Sequence, residues 1–479
     1  MAPRRKAQAR KAPAKKASPP AQARTGPRPL ALHLASAGAA WTSLRAALPL
    51  IAAGKFPWPA PFAAAAAELQ RDLAAASDEA LGADLPAAVD RVGERRFLEF
   101  AAGVSAYRAH PYRRTLKEPP VLWQAGTTRL LDYGFGKAGR GTTVLVIPSL
   151  VNRGHVLDLT AKTSLLRHLA ARGHRPLLVD WGAPGDAERA FDLTDYIAGR
   201  LGGALDAAVK AAGGPVPLIG YCMGGNLALA LAQLRGKDVT ALALLATPWD
   251  FQIDGPIKAP LDAASAASLS AAFAALPEFP VDLLQAMFAS LDPFLVGRKY
   301  RAFAAAQAAG DPKTEGEGEL FVAIEDWVND GVPLAAKVAA ECLVGWYGQN
   351  APARGLWQVA GETITPERCD KPALLLLPQH DRIVPPSASL ALAEALPRAT
   401  ALRVSSGHVA MIVGHQAKTQ SWIPLADWLD GLTPPKRPAR KAAAKRAAVK
   451  KPAAKAKPPA KTRAKKTSAP RKRAKKRRS

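Results

Sequence analysis

The segment VPLIGYCMGG, Val216–Gly225, joins an apolar run typical of a buried strand to the helix-forming run Asn226–Leu234. The turn between them has the pattern G-x-C-x-G, in which small residues on either side of the cysteine allow a tight, strained turn to close. The predicted elbow glycines are Gly220, Gly224 and Gly225. This pattern predicts Cys222 at a sharp strand–turn–helix junction, the position of a nucleophile. Taken alone, it also fits a buried structural cysteine beside a glycine turn.

Further apolar runs precede and follow this segment and alternate with helical stretches. The predicted strands are Thr142–Ile147, Pro176–Trp181, Val216–Ile219, Val239–Leu245, Ala373–Leu377 and Ala401–Val404. Near-continuous apolar strands separated by helices indicate a parallel sheet covered on both faces. The stretch Trp249–Asp370 has no clear strand, and its part Leu261–Phe294 looks helical. We therefore predict an α/β-hydrolase-like catalytic domain over residues 131–432, with a mostly parallel sheet and a helical cap at about 250–370.

The charge of the chain is concentrated at its two ends. The 479 residues carry 66 Lys and Arg against 39 Asp and Glu, a formal net charge of +27. Residues 1–30 hold 9 of these bases and residues 433–479 hold 21, with no acidic residue in either, which leaves 36 basic and 39 acidic side chains in residues 31–432. Both ends consist mainly of Ala, Lys, Arg and Pro and have little to bury. We predict that both are disordered basic tails.

Residues 31–130 are rich in Ala and Leu, with little strand character, and are predicted to form an α-helical N-terminal region. An interfacial lipid-binding region is the alternative. No uninterrupted run of about 18 apolar residues occurs, so we expect no transmembrane segment. Three cysteines cannot form a disulfide framework, which favours a reducing compartment and a cytoplasmic location.

Two residues that follow later strands support a catalytic role for Cys222. Asp381 follows the fifth predicted strand, in PQHDRIVP, and His408 follows the sixth, in SSGHV. In this arrangement His408 would deprotonate Cys222, and Asp381 would fix the tautomer and orientation of the imidazole. We therefore predict a catalytic site made of these three residues, in the chain order nucleophile, acid, histidine.

The same site needs hydrogen-bond donors for a developing oxyanion. The backbone N–H of Met223, at the start of the helix, is predicted to be one donor, and Val151, in the loop Pro148–Asn152, is favoured as the other. No C-x-x-C or clustered Cys/His pattern is present, so we expect no metal site. A thiol accepts an acyl group from another thioester at nearly equal energy. Cysteine therefore favours acyl transfer from a thioester donor, whereas most hydrolases of this fold use serine.

At these residues the chain resembles the poly(3-hydroxyalkanoate) synthases. The similar segments are Ile147–Leu159, Leu178–Trp181, Gly220–Gly225, Trp249–Phe251, Asp381–Pro385 and Gly407–Val409. The resemblance covers roughly residues 95–430. Arg382 stands where the family usually has a histidine, Ser149 replaces a common second proline and Asn226 a common threonine, and Trp327–Asp330 resembles the family's Trp-Asn-x-Asp segment only loosely.

The resemblance implies that the substrate is an (R)-3-hydroxyacyl-coenzyme A and that the products are free coenzyme A and a longer polyester, with no other cofactor. Cys222 would carry the growing chain or the incoming unit as a thioester, and His408 would activate it. Asp381 would support this activation, or help to deprotonate the 3-hydroxyl group that attacks the next thioester. The family resemblance further implies a polyester granule surface and a homodimer or a second synthase subunit as partners.

Two other functions fit the same residues. One is a cysteine esterase or intracellular polyester depolymerase of the same fold. The other is a granule-associated DNA-tethering protein that has lost its activity, which the tail at 433–479 motivates. Its 21 bases, without acidic or aromatic residues, favour nonspecific binding of DNA or polyphosphate. A merely solvated tail, or one drawn to an anionic granule surface, is the alternative.

Overall fold

A largely parallel β-sheet forms the centre of this protein, whose computed structural model describes residues 23–77, 80–134, 141–254, 259–311 and 315–432. The strands of these residues are β1 (Val121–Ala125), β2 (Thr128–Asp132), β3 (Thr143–Ile147), β4 (Arg175–Asp180), β5 (Val216–Tyr221), β6 (Val239–Leu245), β7 (Glu278–Phe279), β8 (Leu334–Ala335), β9 (Gln358–Val359), β10 (Glu362–Thr363), β11 (Ala373–Pro378) and β12 (Ala399–Val404). In the described part of the chain, eight of them form one sheet in the order β1-β2-β4-β3-β5-β6-β11-β12. The short strands pair separately, β7 with β8 and β9 with β10.

The strands from β4 across to β12 are parallel to their neighbours. They coincide with the six strands predicted from the sequence, so the prediction of an α/β fold with a mostly parallel sheet is confirmed. The carboxyl ends of parallel strands lie at one edge of a sheet. For this reason the residues that follow β3, β5, β11 and β12 are all brought to the same edge.

A β-hairpin at one side of the sheet differs from the prediction. Residues 31–130 were expected to be helical, yet β1 and β2 pair with each other, and β2 pairs antiparallel with β4. The edge strand β1 is largely exposed and includes polar Gln124, so it lacks the continuous apolar run that marks the buried strands. The prediction of little strand character in this region was wrong for these residues.

The α-helices cover the sheet and build the N-terminal region. In the described residues they are α1 (Leu30–Ala52), α2 (Ala63–Ala74), α3 (Leu85–Ala109), α4 (Leu165–Ala171), α5 (Gly202–Ala212), α6 (Met223–Leu234), α7 (Ala263–Ala274), α8 (Val281–Ser290), α9 (Leu295–Ala309), α10 (Glu315–Asn329), α11 (Ala336–Ala340), α12 (Pro386–Ala395), α13 (Ala410–Val413) and α14 (Ile423–Gly431). The adjoining π-helical segments are Ala80–Asp84, Asp195–Leu201, Glu341–Gly348 and Lys418–Trp422. The predicted helical N-terminal region is confirmed by α1, α2 and α3.

Two hydrophobic cores lie on the two faces of the sheet. Along β3, Leu145 and Ile147 belong to one core, whereas Val144 and Val146 belong to the other, as the two-residue period of a strand requires. Helices α5 and α6 contribute to the first core, and α4 and α14 to the second. The side chains of all four β3 residues, Val144, Leu145, Val146 and Ile147, are fully buried. Burial of each one stabilises the fold by about 1.5–3 kcal/mol.

Residues 246–372 separate β6 from β11, and the cap predicted at about 250–370 falls in this stretch. Helix α9 of this insertion packs on α3 of the N-terminal region. Tyr300 contacts Phe100 and Tyr107 edge-on, with ring centroids 6.1 and 5.7 Å apart. Gly103 permits this approach, because a Cβ atom at that position would lie 2.2 Å from the carbonyl oxygen of Tyr300.

The predicted disordered tails fall mostly outside the described residues, which leave out 1–22 and 433–479. Residues 23–30 were assigned to the first tail, and that prediction was wrong, because Arg24 is fixed by Asp326 at 2.6 Å. Arg24 also donates hydrogen bonds to the carbonyl oxygens of His110 and Tyr112. Composition alone does not show that a basic residue has a carboxylate partner 302 positions away. In the described parts of the chain, none of the helices combines the length and the apolar character needed to cross a membrane.

The turn between β5 and α6 is closed by backbone contacts that exclude side chains. A Cβ atom on Gly224 would lie 2.1 Å from the carbonyl oxygen of Ile147, at the end of β3. One on Gly220 would lie 2.4 Å from the Cα of Gly225, and one on Gly225 would lie 1.8 Å from Oγ1 of Thr247. These separations are far shorter than any van der Waals contact, so glycine is required at all three positions.

We expect the substitution Gly224→Ala to lower the free energy of unfolding by about 1–3 kcal/mol or more, because an added methyl group must displace the backbone of β3. Gly199→Ala is the matched control, since a Cβ atom on this helical glycine meets nothing within 4 Å. Urea denaturation of the two variants and the wild type measures the difference. Equal stability of the two variants would contradict the close contact.

Candidate active site

Cys222 lies at the apex of the turn in strained backbone geometry. Its φ of 56° and ψ of −129° are unusual for a residue with a side chain. The backbone N–H of Cys222 donates to Leu245 of β6 at 2.8 Å, and its carbonyl oxygen accepts from Gly225 at 2.9 Å. Because both backbone groups are bonded and α6 begins at Met223, the cysteine is held at the carboxyl edge of the sheet.

Asp381 and His408 form a buried pair beside the cysteine. The distance from Nδ1 of His408 to Oδ2 of Asp381 is 2.6 Å. The other carboxylate oxygen of Asp381 accepts the backbone N–H groups of Ile383 and Val384, both at 2.8 Å. Both carboxylate oxygens are thus hydrogen-bonded, one to the backbone of its own loop and the other to the imidazole. The ring of His408 is oriented as a result, and it lines the same cavity as Cys222.

The electrostatics of this group favour a charged imidazole. Burial by itself disfavours the imidazolium form of His408. The attraction of Cys222 and Asp381, together with the hydrogen bond to Asp381, outweighs burial and raises the pKa of His408 to about 10. At neutral pH the imidazole of His408 is therefore protonated.

Burial acts differently on the other two cysteines. It raises the pKa of the thiols of Cys342 and Cys369, which are both buried. Because the pKa of each thiol is raised above its ordinary value, both stay protonated at neutral pH. Of the three cysteines, Cys222 is thus the one whose surroundings support a nucleophile.

Tyr221 is a site residue that the sequence analysis missed. Its hydroxyl donates to the carbonyl oxygen of His408 at 3.1 Å, and its ring packs against the imidazole with centroids 5.3 Å apart. The available signal was its position, since the last residue of a buried strand before the turn must face the same edge as Cys222. Tyr221 therefore supports both the backbone and the ring of His408.

An apolar cavity of about 190 Å³ opens above Cys222 and His408. Its walls include Phe251, Phe288 and Trp346 from the stretch between β6 and β11. Few polar groups reach it, so a bound acyl chain would be surrounded by hydrophobic side chains and shielded from water. In the described residues, no group of three or more His, Cys, Asp or Glu is placed to hold a metal ion, and the expectation that no metal or cofactor is used stays a prediction.

The two predicted oxyanion donors differ in their availability. The N–H of Met223 lies in the first turn of α6, where no intrahelical acceptor exists. The N–H of Val151 instead donates to Oγ of Ser149 at 3.1 Å. The predicted donor Val151 is therefore already bonded within its own loop, a detail that motif spacing cannot reveal.

Comparison with known proteins agrees with this geometry. The family model of the alpha/beta hydrolase fold matches residues 142–415. A poly(3-hydroxyalkanoate) polymerase subunit PhaC from Allochromatium vinosum is 30% identical over 295 residues, which cover 60% of this chain and 80% of that protein. The chain belongs to the PhaC family of alpha/beta hydrolase fold proteins. The resemblance to poly(3-hydroxyalkanoate) synthases inferred from the motifs is thereby confirmed.

Two further PhaC subunits extend the comparison. The protein from Haloarcula marismortui is 25% identical over 320 residues, which cover 64% of this chain and 66% of that protein. The protein from Haloferax mediterranei is 26% identical over 314 residues, which cover 64% of this chain and 63% of that protein. The chain thus spans slightly less than two thirds of the length of these two relatives.

The loop after β3 in this PhaC family member is joined to the stretch between β6 and β11. Asn152 forms an isolated β-bridge with Gly331, and Arg153 pairs with Asp330 at 2.7 Å. The indole N–H of Trp327 donates to the carbonyl oxygen of Arg153 at 2.7 Å. The segment 327–331, which resembles the family motif only loosely, therefore contacts the loop expected to hold the oxyanion.

Arg382, which departs from the family pattern, also joins a loop of the site to the stretch between β6 and β11. It forms an ion pair with Asp292, which follows α8, and Asp292 also pairs with Arg298 at 2.7 Å. The two arginines hold the pKa of Asp292 below its usual value although burial opposes this. The residue next to the catalytic acid candidate Asp381 is thereby linked to the helix that covers the cavity.

We expect His408→Ala to slow the alkylation of Cys222 by iodoacetamide at neutral pH by roughly tenfold or more, because an unassisted thiol is only a few per cent ionised. The wild-type rate should exceed that of the variant from about pH 6 to pH 8, because a His408 pKa of about 10 keeps the imidazole protonated over this range. Mass spectrometry of the Cys222 peptide measures both. The control is His380→Ala, an exposed histidine beside the site; equal loss in both variants would count against a Cys222–His408 pair.

We expect Arg382→Ala to increase the rate at which a bulky maleimide reaches Cys222, because one of the two arginines that hold Asp292 is lost. The free energy of unfolding should fall by less than about 1 kcal/mol, since Arg382 is largely exposed. High salt should have the same effect on the wild type, because it screens the ion pair. Arg398→Ala is the control, as Arg398 donates only to the carbonyl oxygen of Asp370. An unchanged maleimide rate would show that the ion pair does not restrain access.

Proposed function

We propose that this protein joins 3-hydroxyacyl units from (R)-3-hydroxyacyl-coenzyme A into a polyester through a thioester on Cys222, with release of coenzyme A. The observation that carries the proposal is the buried Asp381–His408 pair, at 2.6 Å, which shares a cavity with a strained Cys222 in a chain of the PhaC family. A cysteine, a histidine and a carboxylate in this order and geometry form a nucleophilic triad.

In the first half-reaction the thiolate of Cys222 attacks the carbonyl carbon of the acyl-coenzyme A. The carbonyl oxygen gains the negative charge, and the N–H of Met223 is placed to stabilise it. When the tetrahedral intermediate collapses, the carbon–sulfur bond to coenzyme A breaks. The departing thiolate takes a proton from the imidazolium of His408, which leaves a neutral histidine.

In the second half-reaction this neutral His408 accepts the proton of a 3-hydroxyl group that attacks a neighbouring thioester. The ester C–O bond forms as the C–S bond of that thioester breaks, and its sulfur leaves as a thiolate. Asp381 has two candidate roles, to support His408 or to take that proton itself. Both of its oxygens are already occupied, one by His408 and the other by the N–H groups of Ile383 and Val384. This favours the supporting role, since the side chain of Asp381 is fully buried and does not line the cavity above Cys222.

The apolar walls of the cavity support transfer over hydrolysis. A thioester intermediate survives only if water is kept from it while the next hydroxyl group arrives. A cavity lined by Phe251, Phe288 and Trp346 offers water few hydrogen bonds. The same triad in a wetter site would serve the alternative function, a cysteine esterase or polyester depolymerase.

The remaining expectations about partners rest on the family and on composition. A granule surface, a homodimer or second subunit, and a cytoplasmic, granule-associated location stay predictions. The tail at 433–479 lies outside the described residues, and its predicted binding of DNA or polyphosphate depends only on its 21 bases without acids.

Purified protein incubated with (R)-3-hydroxybutyryl-coenzyme A should release thiol and form an insoluble polyester, with one thiol for each unit incorporated. The Cys222→Ala variant should do neither, because it cannot form the acyl-enzyme. Cys369→Ala, which removes a buried cysteine of raised pKa, should retain activity. Thiol release with free 3-hydroxybutyrate as the only product would establish the hydrolase instead. Absence of thiol release, also after addition of a second synthase subunit, would contradict the proposed polymerisation.

A further inference from the structure

The loop after β3 offers the oxyanion a donor that the sequence analysis did not consider. Ser149 lines the same cavity as Cys222, Met223 and His408. Its Oγ accepts the N–H of Val151 at 3.1 Å, so the hydroxyl group stands in front of the backbone donor that was expected to face the substrate. An oxyanion approaching this side of the cavity would therefore meet the hydroxyl group of Ser149.

The position of this hydroxyl group is set by rigid contacts. The indole N–H of Trp181 donates to the carbonyl oxygen of Pro148 at 3.0 Å, which anchors the residue before Ser149. The missing side chain of Gly224 lets the start of α6 pack directly on the backbone of Ile147 and Pro148. The loop that carries Ser149 and the helix that carries the N–H of Met223 are thus held against each other.

The hydroxyl group of Ser149 has one hydrogen available for donation to a ligand. A serine hydroxyl has one hydrogen and two acceptor positions. Val151 uses an acceptor position, and among the described residues no hydrogen bond uses the hydrogen of Ser149. The bond from Val151 polarises the hydroxyl group and makes it a stronger donor.

We propose that the hydroxyl group of Ser149, supported by the N–H of Val151, is the second hydrogen-bond donor to the oxyanion formed on Cys222. This inference rests on the proposed acyl transfer and deepens it. As the thiolate adds to the carbonyl carbon, the electron pair of the C=O bond moves to oxygen. Ser149 keeps its proton throughout and donates a hydrogen bond to that oxygen together with Met223. When the leaving group departs, the electron pair on the oxygen re-forms the C=O bond.

Two reactions of the same cysteine separate this role from a structural one. Acylation by 4-nitrophenyl butyrate passes through an oxyanion, whereas alkylation by iodoacetamide does not. Ser149→Ala should lower the burst rate of 4-nitrophenol release, and kcat for coenzyme A release, by about 10²–10³-fold, the usual loss of one oxyanion donor. The alkylation rate and KM should change little. Ser149→Thr, which retains the hydroxyl group, should restore most of the rate.

Each contrary outcome has a definite meaning. Equal slowing of acylation and alkylation in Ser149→Ala would show that Ser149 only maintains the loop. Wild-type acylation by Ser149→Ala would show that another donor, such as the N–H of Val151, serves the oxyanion. Because the nitrophenyl ester requires neither coenzyme A nor polymer formation, the role of Ser149 is decided even if the polymerase assay fails. That failure would then concern the proposed substrate and not the oxyanion donor.

Discussion

The contact of α6 with the end of β3 is the constraint on which the active site depends. Gly224 has no side chain, so the backbone of the helix meets the carbonyl oxygen of Ile147 directly. This contact places Cys222 above the sheet and brings the loop of Ser149 to the start of the helix. A single methyl group at Gly224 would push the loop of Ser149 away from Cys222 and from the N–H of Met223.

The second organising feature is the buried pair of Asp381 and His408 beside an apolar cavity. An unpaired thiolate or imidazolium would be strongly disfavoured there, because burial removes the hydration of both ions. Asp381 makes the arrangement possible, since two backbone N–H groups and His408 satisfy its carboxylate. The hydrophobic walls that exclude water therefore also strengthen the attraction between His408 and Asp381.

The stretch between β6 and β11 is fastened to the loops that carry the site. Arg153 and Trp327 join it to the loop after β3, and Arg382 joins it to the loop of Asp381. The N-terminal residues add a third connection, because Asp326, next to Trp327, binds both Arg24 and Tyr107. A movement of this stretch that opens the cavity would therefore also displace the loops of Ser149 and Asp381.

The amino-acid sequence by itself determined the sheet, the turn at Cys222 and the residues of the candidate triad, because these depend on local apolar runs and on glycine at fixed spacing. It could not find the exposed strand β1 or the fixed position of Arg24, since each depends on partners distant in the chain. The tertiary structure alone decided that the N–H of Val151 meets Ser149 and that Arg382 meets Asp292. Hydrogen bonds of this kind follow from the directions of individual groups in the packed molecule, and residue spacing carries no information about those directions.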